Sequence, residues 1–515
     1  MEGELVNYAH WFVLGLCLAT PLHLSAQTAG GENGVNTDSK ISASLLKKLS
    51  FEAPQKRPAL VFLAEQADLS PAGAIPSRDA KGKFVYNALR HTAQTSQNSL
   101  VTWLAQERLV HQRFYIVNMV AVFDASADQI RAIAARPDVS RIVGNDAREI
   151  VAPATPEMLS EPKSEDTRTV GPNITSTGAD RVWTDYNVRG EGIVIAGQDT
   201  GVEWGHPALK PHYRGNGADG ATDHNFSWHD SIKNQIGSSP NRCGYNLQTP
   251  CDDHGHGSHT VGSIVGDDNA GNQVGMAPNA KWIACRNMDA GAGRPSTYID
   301  CFEWFLAPYK YNGDPMQDGD PTLAPHVINN SWGCPSDEGC AGGEFEPILT
   351  AFKAAGVFVV ASAGNSGSGC STISDGPAFH SDLTMSVGAH DHRNGAIASF
   401  SSRGPSTYDN KIGPHITAPG VNIRSSVPGG GFSGSMWSGT SMSGPHVVGA
   451  IALLWAADPS LVGKIDETKE VLMRTATPKT STQSCGGVAG SAIPNNTFGY
   501  GLLNIYEAVK SRRTH

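Results

Sequence analysis

The chain of 515 residues is 39% hydrophobic and only 17% charged, too apolar for a disordered acidic polymer and too poor in charge for a coiled coil. Its formal net charge is −10, and the only basic cluster is the terminal Lys510-Ser511-Arg512-Arg513, which argues against a nucleic-acid binder. The 57 glycines exceed the usual share and announce many tight turns and close backbone approaches.

The N-terminus reads as a leader. Trp11 to Leu24 (WFVLGLCLATPLHL) is apolar but too short to span a bilayer, and Leu24-Ser25-Ala26 is a small-residue cleavage site, so residues 1–26 are expected to be a signal peptide. No later segment is apolar enough to cross a membrane, so the chain is expected to be secreted and free of the membrane once the signal is removed. Residues 27–56 are polar. From 57 to 150 the pattern predicts a small α+β domain. Its expected elements are a strand at Pro58–Leu63, one helix over Lys83–Glu107, one strand over Arg113–Phe123, a helix opened by the capping box Ser126-Ala127-Asp128-Gln129, and a strand at Val139–Gly144. Residues 151–170 are rich in Pro, Ser and Glu without periodicity, as in an exposed, easily cut linker.

Beyond residue 171 short apolar runs alternate with amphipathic stretches. Strands are expected at Ile193–Ala196, Ala280–Cys285, His326–Asn329 and Val357–Ala361, and helices at Gly257–Val265, Pro347–Ala355, Gly444–Ala456 and Asp466–Thr475, which together predict a parallel α/β sheet. Eight of the nine cysteines lie between Cys243 and Cys485, an even set at short spacings that fits disulfides formed in an oxidising compartment. Spacing leaves 105 pairings open.

Three segments place a reactive side chain among glycines at the end of a regular element. Asp199 lies in Gly197-Gln198-Asp199-Thr200-Gly201, where a parallel strand ends and catalytic groups gather. His256 lies in Gly255-His256-Gly257-Ser258-His259, uncrowded at a helix start and suited to proton transfer near neutral pH. Ser441 lies in Gly439-Thr440-Ser441-Met442-Ser443-Gly444, at a helix N-terminus whose free N–H groups favour an anionic intermediate. Each has a plainer reading: turn chemistry for Asp199, a metal ligand in the Asp252, Asp253, His254, His256, His259 cluster, and a helix cap for Ser441. Together they are a nucleophile, its base and the carboxylate that orients the base. The chain order Asp, His, Ser is that of subtilisin, against His, Asp, Ser in chymotrypsin and Ser, Asp, His in α/β-hydrolases.

The Asp199, His256 and Ser441 segments resemble the three signatures of the subtilisin family of serine proteases. Several stretches, among them GDDNAGNQVGMAPNAKWIAC, NNSWG and SSRGPS, resemble its bacillopeptidase F branch. The resemblance covers residues 171–510. It implies a three-layer α/β catalytic domain with a mostly parallel sheet, preceded by an inhibitory propeptide over 57–150 that blocks the cleft of a zymogen. It also implies that the Asn365 amide and the Ser441 N–H hold the oxyanion, and that Ser331, Trp332, Gly333 and Gly364 line the substrate site. The expected activity is hydrolysis of protein and peptide substrates; a ligase or cyclase using the same acyl-enzyme and a catalytically silent scaffold are the alternatives. Catalysis needs no cofactor. Family members often bind structural calcium, for which Asp314, Asp318 and Asp320, or Asp267 and Asp268, are candidate ligands, although neither set has a calcium-loop spacing. Insertions at about 210–252 and 289–325 depart from the basic pattern, the first expected as a surface loop. A pocket walled by Ser331, Trp332 and Gly333 shows no acid or base and points to broad specificity for apolar side chains.

Overall fold

The computed structural model describes residues 37–51, 56–150, 170–217, 219–340, 342–433 and 437–513; the expected signal peptide and nearly all of the linker lie outside them. The first part of the chain builds α1 (Ala43–Phe51), β1 (Arg57–Leu63), α2 (Arg78–Ser96), α3 (Asn98–Gln106), β2 (Val110–Phe114), β3 (Met119–Ala125), α4 (Ala127–Ala134) and β4 (Val139–Gly144). The strands form an antiparallel sheet in the order β2-β3-β1-β4, followed by the short β5 (Arg148–Glu149).

Two elements differ from the sequence reading. The expected single helix over Lys83–Glu107 is two, α2 and α3, because the Thr95 and Ser96 hydroxyls turn back onto the carbonyls of His91 and Thr92. Gln97 at the break buries its amide and donates to Phe114 O at 2.8 Å and Asn118 Oδ1 at 2.9 Å. The expected strand over Arg113–Phe123 is the hairpin β2–β3, reversed at Tyr115–Asn118 with Asn118 at φ 44°. That turn carries no glycine or proline, and its residues are fully buried or nearly so, which is why it reads as strand. The capping box at Ser126 forms as expected, with Gln129 N donating to Ser126 Oγ at 3.2 Å and Ser126 N to Gln129 Oε1 at 3.0 Å.

The second part contributes, in chain order, α5 (Pro172–Thr175), α6 (Ala179–Tyr186), β6 (Val194–Asp199), β7 (Trp228–Asp230), α7 (His256–Val265), β8 (Lys281–Arg286), β9 (Met288–Asp289), β10 (Ala292–Gly293), α8 (Pro295–Leu306), β11 (Val327–Asn330), α9 (Glu346–Ala355), β12 (Phe358–Ser362), β13 (Met385–Asp391), β14 (Ala396–Ile397), β15 (Ile416–Pro419) and α10 (Thr440–Ala457). The eight-stranded sheet runs β14-β13-β12-β11-β6-β8-β7 with β15 also on β13, and every pairing except β13–β14 is parallel. Its central strands are buried on both faces. Val261, Ile264, Val447, Ile451 and Trp455 of α7 and α10 pack on one face, and Ile299, Phe302, Leu349 and Phe352 of α8 and α9 on the other. The three-layer α/β architecture is therefore as expected.

The insertion at about 210–252 is more than a surface loop. Within it β7 extends the sheet beyond β8, and its Asp230 takes a bidentate grip at 2.9 Å from the fully buried Arg286, which also donates to Asp253 at 3.0 Å. The insertion at about 289–325 contains α8, all twelve of whose residues are buried. Four disulfides join Cys243–Cys251, Cys285–Cys301, Cys334–Cys340 and Cys370–Cys485.

The four-stranded sheet of the first part has two apolar faces. Ala59, Val61, Leu63, Val122 and Ile142 face Leu100, Leu104, Ile130 and Ile133 of α3 and α4. Leu60, Phe62, Met119, Ala121 and Val143 join the same cluster as α8 and α9. Polar contacts fix the second face: the Glu303 carboxylate on α8 accepts from Tyr115 N at 2.5 Å and Ile116 N at 3.0 Å, Gln112 donates to Asp300 at 2.8 Å, and Asn145 and Ser296 exchange two bonds of 2.9 Å.

Candidate active site

Asp199 ends β6, His256 begins α7 and Ser441 stands in the first turn of α10. His256 Nδ1 lies 2.8 and 2.9 Å from the two Asp199 carboxylate oxygens, with both side chains buried. Asp199 is held in turn by Thr200 N at 2.7 Å and Thr260 Oγ1 at 3.4 Å. Such a carboxylate fixes the imidazole so that Nδ1 carries the proton and Nε2 keeps its lone pair. Nε2 is buried without a hydrogen-bond partner, and the Ser441 hydroxyl donates instead to Ser331 O at 3.1 Å.

Local sequence explains how the imidazole is placed. A Cβ on Gly257 would stand 2.0 Å from Gly201 O and 3.1 Å from Asp199 Cβ, so only glycine lets α7 approach β6 this closely. Asp252, read from sequence as a candidate metal ligand, caps that helix. It accepts from Gly255 N at 2.7 Å, His254 N at 3.0 Å, Ser258 N at 2.8 Å and Thr200 Oγ1 at 2.9 Å. His259 hydrogen-bonds Ile423 O at 3.1 Å and stacks on Trp437 at 4.7 Å, and burial lowers its pKa to about 3. Trp437 also lies against the His256 ring at 6.3 Å, a shield that no motif announced.

Asn365 follows β12 by three residues. Its Oδ1 accepts from Thr440 N and Thr440 Oγ1, both at 2.9 Å, which leaves its Nδ2 free of those bonds and close to Gly439. The first-turn N–H groups of α10 have no intrahelical acceptor and carry the positive end of the dipole. Ser331, Trp332, Gly333, Gly364, Asn365, Thr440 and Ser441 line one cleft of about 290 Å³, so the expected substrate-site residues are brought together.

The same cleft receives the end of the first part of the chain. β5 pairs antiparallel with β10, which pairs with β9, and Ile150 N donates to Gly291 O at 2.7 Å. Arg148, Glu149 and Ile150 all line the cleft. Sequence analysis missed β10, a two-residue strand carrying no hydrophobic period.

The candidate calcium ligands engage their own turns. Asp267 and Asp268 accept from Asn269 N, Ala270 N and Asn272 N, and Asp314 and Asp320 from Met316 N and Thr322 N, at 2.8–2.9 Å. Among the described residues no group of three or more His, Cys, Asp or Glu side chains is placed to hold a metal ion, and no helix is long and apolar enough to cross a membrane.

A parallel three-layer fold with Asp, His and Ser in this order and place defines a serine-protease architecture of subtilisin type. The sequence profile of the subtilase family matches residues 190–501, and the chain belongs to that family. It is 33% identical over 510 residues to Bacillopeptidase F of Bacillus subtilis (strain 168), an alignment covering 93% of this chain and 33% of that protein; the chain spans about a third of the relative's length. It is 34% identical over 260 residues to Subtilisin Savinase of Lederbergia lenta, covering 50% of this chain and 79% of that protein. To Subtilisin E of Bacillus subtilis (strain 168) it is 29% identical over 454 residues, covering 88% of this chain and 96% of that protein.

Proposed function

We propose that the chain is a secreted serine endopeptidase made as a zymogen. The observation that carries this is the His256 imidazole, clamped at Nδ1 by Asp199 and unpartnered at Nε2. Ser441 Oγ turns from Ser331 O, gives its proton to His256 Nε2 and attacks the peptide carbonyl. Asn365 Nδ2 and the Ser441 N–H hold the oxyanion. His256 then protonates the leaving amine as the C–N bond breaks. Water, activated by the same base, hydrolyses the acyl-enzyme. Ser331, Trp332, Gly333 and Gly364 bind the substrate, and no cofactor takes part.

Residues 57–150 act as the chain's own inhibitor. The reading is supported by β5, which adds to β10 as an extended peptide substrate would and leads the chain into the Ser441 cleft. Secretion is supported by the leader-like N-terminus and by the four disulfides.

The test is to express wild type and Ser441→Ala side by side, measure the mature N-terminus by mass spectrometry and follow casein hydrolysis. Wild type is expected to cut itself within about 150–171 and to digest casein. Ser441→Ala should do neither, with activity falling about 10⁶-fold, and Asn365→Ala should lose about 10²–10³-fold. Processing and hydrolysis by Ser441→Ala at the wild-type rate would overturn the assignment.

A further inference from the structure

The Ser331–Trp332–Gly333 wall is uncharged, but the cleft it borders is not. Asp375, far away in sequence, lines the same cleft together with Gly364, Ala378 and Ser441. Its carboxylate lies against Gly333: a Cβ on that glycine would meet Asp375 Cβ at 3.0 Å and Oδ2 at 3.2 Å. The position is built into the backbone. Cys334 N donates to Gly376 O at 2.9 Å, Gly376 N returns a bond to Cys334 O at 3.3 Å, and Cys334 is itself cross-linked to Cys340. Asp375 is thus fixed to the segment that walls the pocket rather than hung from a free loop.

Its charge lacks an opposite number. The carboxylates that share the cleft are engaged elsewhere: Asp337 pairs with Arg148, and Glu149 accepts from Ser238 Oγ at 3.4 Å. Asp375 accepts one side-chain bond, from the neighbouring Ser374 Oγ at 3.0 Å, and among the described residues no lysine or arginine is paired with it. Burial pushes its carboxyl upward, the behaviour of an acid drawn out of water without a counter-charge. A second acid, the buried Glu338, is near enough for the Asp375 charge to help raise its own pKa. An apolar substrate side chain entering here would strip water from Asp375 and return nothing. A cationic one would supply a charge-assisted hydrogen bond.

We infer that Asp375 makes this pocket select a lysine or arginine side chain on the residue just before the bond that is cut. The inference rests on the protease reading above and replaces the apolar preference that the Ser331–Trp332–Gly333 wall alone suggests. The positive end of the substrate side chain reaches the Asp375 carboxylate while its methylenes lie along Trp332 and the Gly364 backbone.

The experiment compares kcat/KM for peptide p-nitroanilides that differ only in the residue before the scissile bond, Lys, Arg, Leu or Phe, using the processed enzyme. Wild type should favour Lys and Arg over Leu and Phe by 10-fold or more. Asp375→Asn should lower the Lys-to-Leu ratio by about 10–100-fold, and Asp375→Glu should restore part of it. A wild-type preference for Leu or Phe, or a ratio unmoved in Asp375→Asn, overturns the inference. A binding measurement separates this from failure of the protease reading: p-aminobenzamidine is titrated, by its fluorescence, into the region from residue 170 onward carrying Ser441→Ala, which has both helical layers and all four disulfides of its own and lacks Arg148–Ile150, with and without Asp375→Asn. Saturable binding that Asp375→Asn weakens at least 10-fold upholds the role of Asp375 even in a protein that cleaves none of the four substrates. Equal binding by both proteins, or none by either, defeats it.

Discussion

Residues 57–150 and residues 171–510 each cover a β-sheet on two faces, and they do so with different means. The larger region provides both helical layers from its own chain and closes them with four disulfides. The smaller region has no cysteine and covers one face with α3 and α4, while its other face merges with α8 and α9 of its neighbour. One region holds itself together and the other is held. The difference teaches that the contact between them behaves as a binding interface: its stability belongs to the pair, and separating the two costs the smaller one half of its core.

The strongest way to break this comparison is to express residues 37–150 alone. The far-UV circular dichroism of a mostly unfolded chain is expected, with structure returning when the region from residue 170 onward, carrying Ser441→Ala, is added. A cooperative thermal transition by the isolated piece would show that it needs no borrowed face. Next in size is the Cys370–Cys485 bridge, which closes a separation of 115 residues. Replacing both cysteines by serine should lower the stability of the larger region by about 4–5 kcal/mol on the loop-entropy argument, read as a fall in the urea midpoint. A loss under 1 kcal/mol would mean that packing alone holds the larger region.

Acid offers a further contrast. Burial lowers His259, His326 and His390 to about 3 and His380 and His446 to about 4, all in the larger region. Because these folded-state values lie below the unfolded 6.5, the unfolded chain takes up protons first. Stability is therefore fully present above about pH 6.5 and lost as pH falls toward 4, each imidazole contributing at most about 1.4 kcal/mol per pH unit. Urea midpoints that stay flat between pH 7.5 and 5 would refute this. The smallest effects concern the interface. Glu303→Ala strands the Tyr115 and Ile116 N–H groups and should weaken inhibition by added residues 37–150 about 10–100-fold. Arg148→Ala, which removes an exposed pair with Asp337, should change it less than about 5-fold. Equal effects of the two would dissolve the distinction between buried and exposed ties.

The residues of the candidate site were easier to read than the architecture around them. Asp199, His256, Ser441 and Asn365 sit in glycine-marked turns, where a tight approach leaves a local trace in the sequence, and the structure gathers them on the sheet and at its helix N-termini. The even set of cysteines and the strand at Val139–Gly144 were equally plain, whereas which cysteines pair was not. What stayed hidden depends on partners distant in sequence. α8 shows no amphipathic period because the sheet covers one side of it and residues 57–150 the other. β7 is three residues within an irregular insertion, recognisable only once Asp230 meets Arg286. Asp375 becomes part of a pocket through the backbone bonds between Cys334 and Gly376, and nothing in its neighbourhood along the chain foretells that.

The longest disulfide also bears on survival among proteases. Cys370 and Cys485 enclose the whole of α10, including Ser441, within a covalent ring. A single backbone cut anywhere inside that ring opens it without releasing a fragment, so both new ends stay on one covalently joined molecule. If the chain is the secreted protease proposed above, such damage by sibling molecules would be survivable: a nicked molecule would run as one species under oxidising conditions and fall apart into two only after reduction.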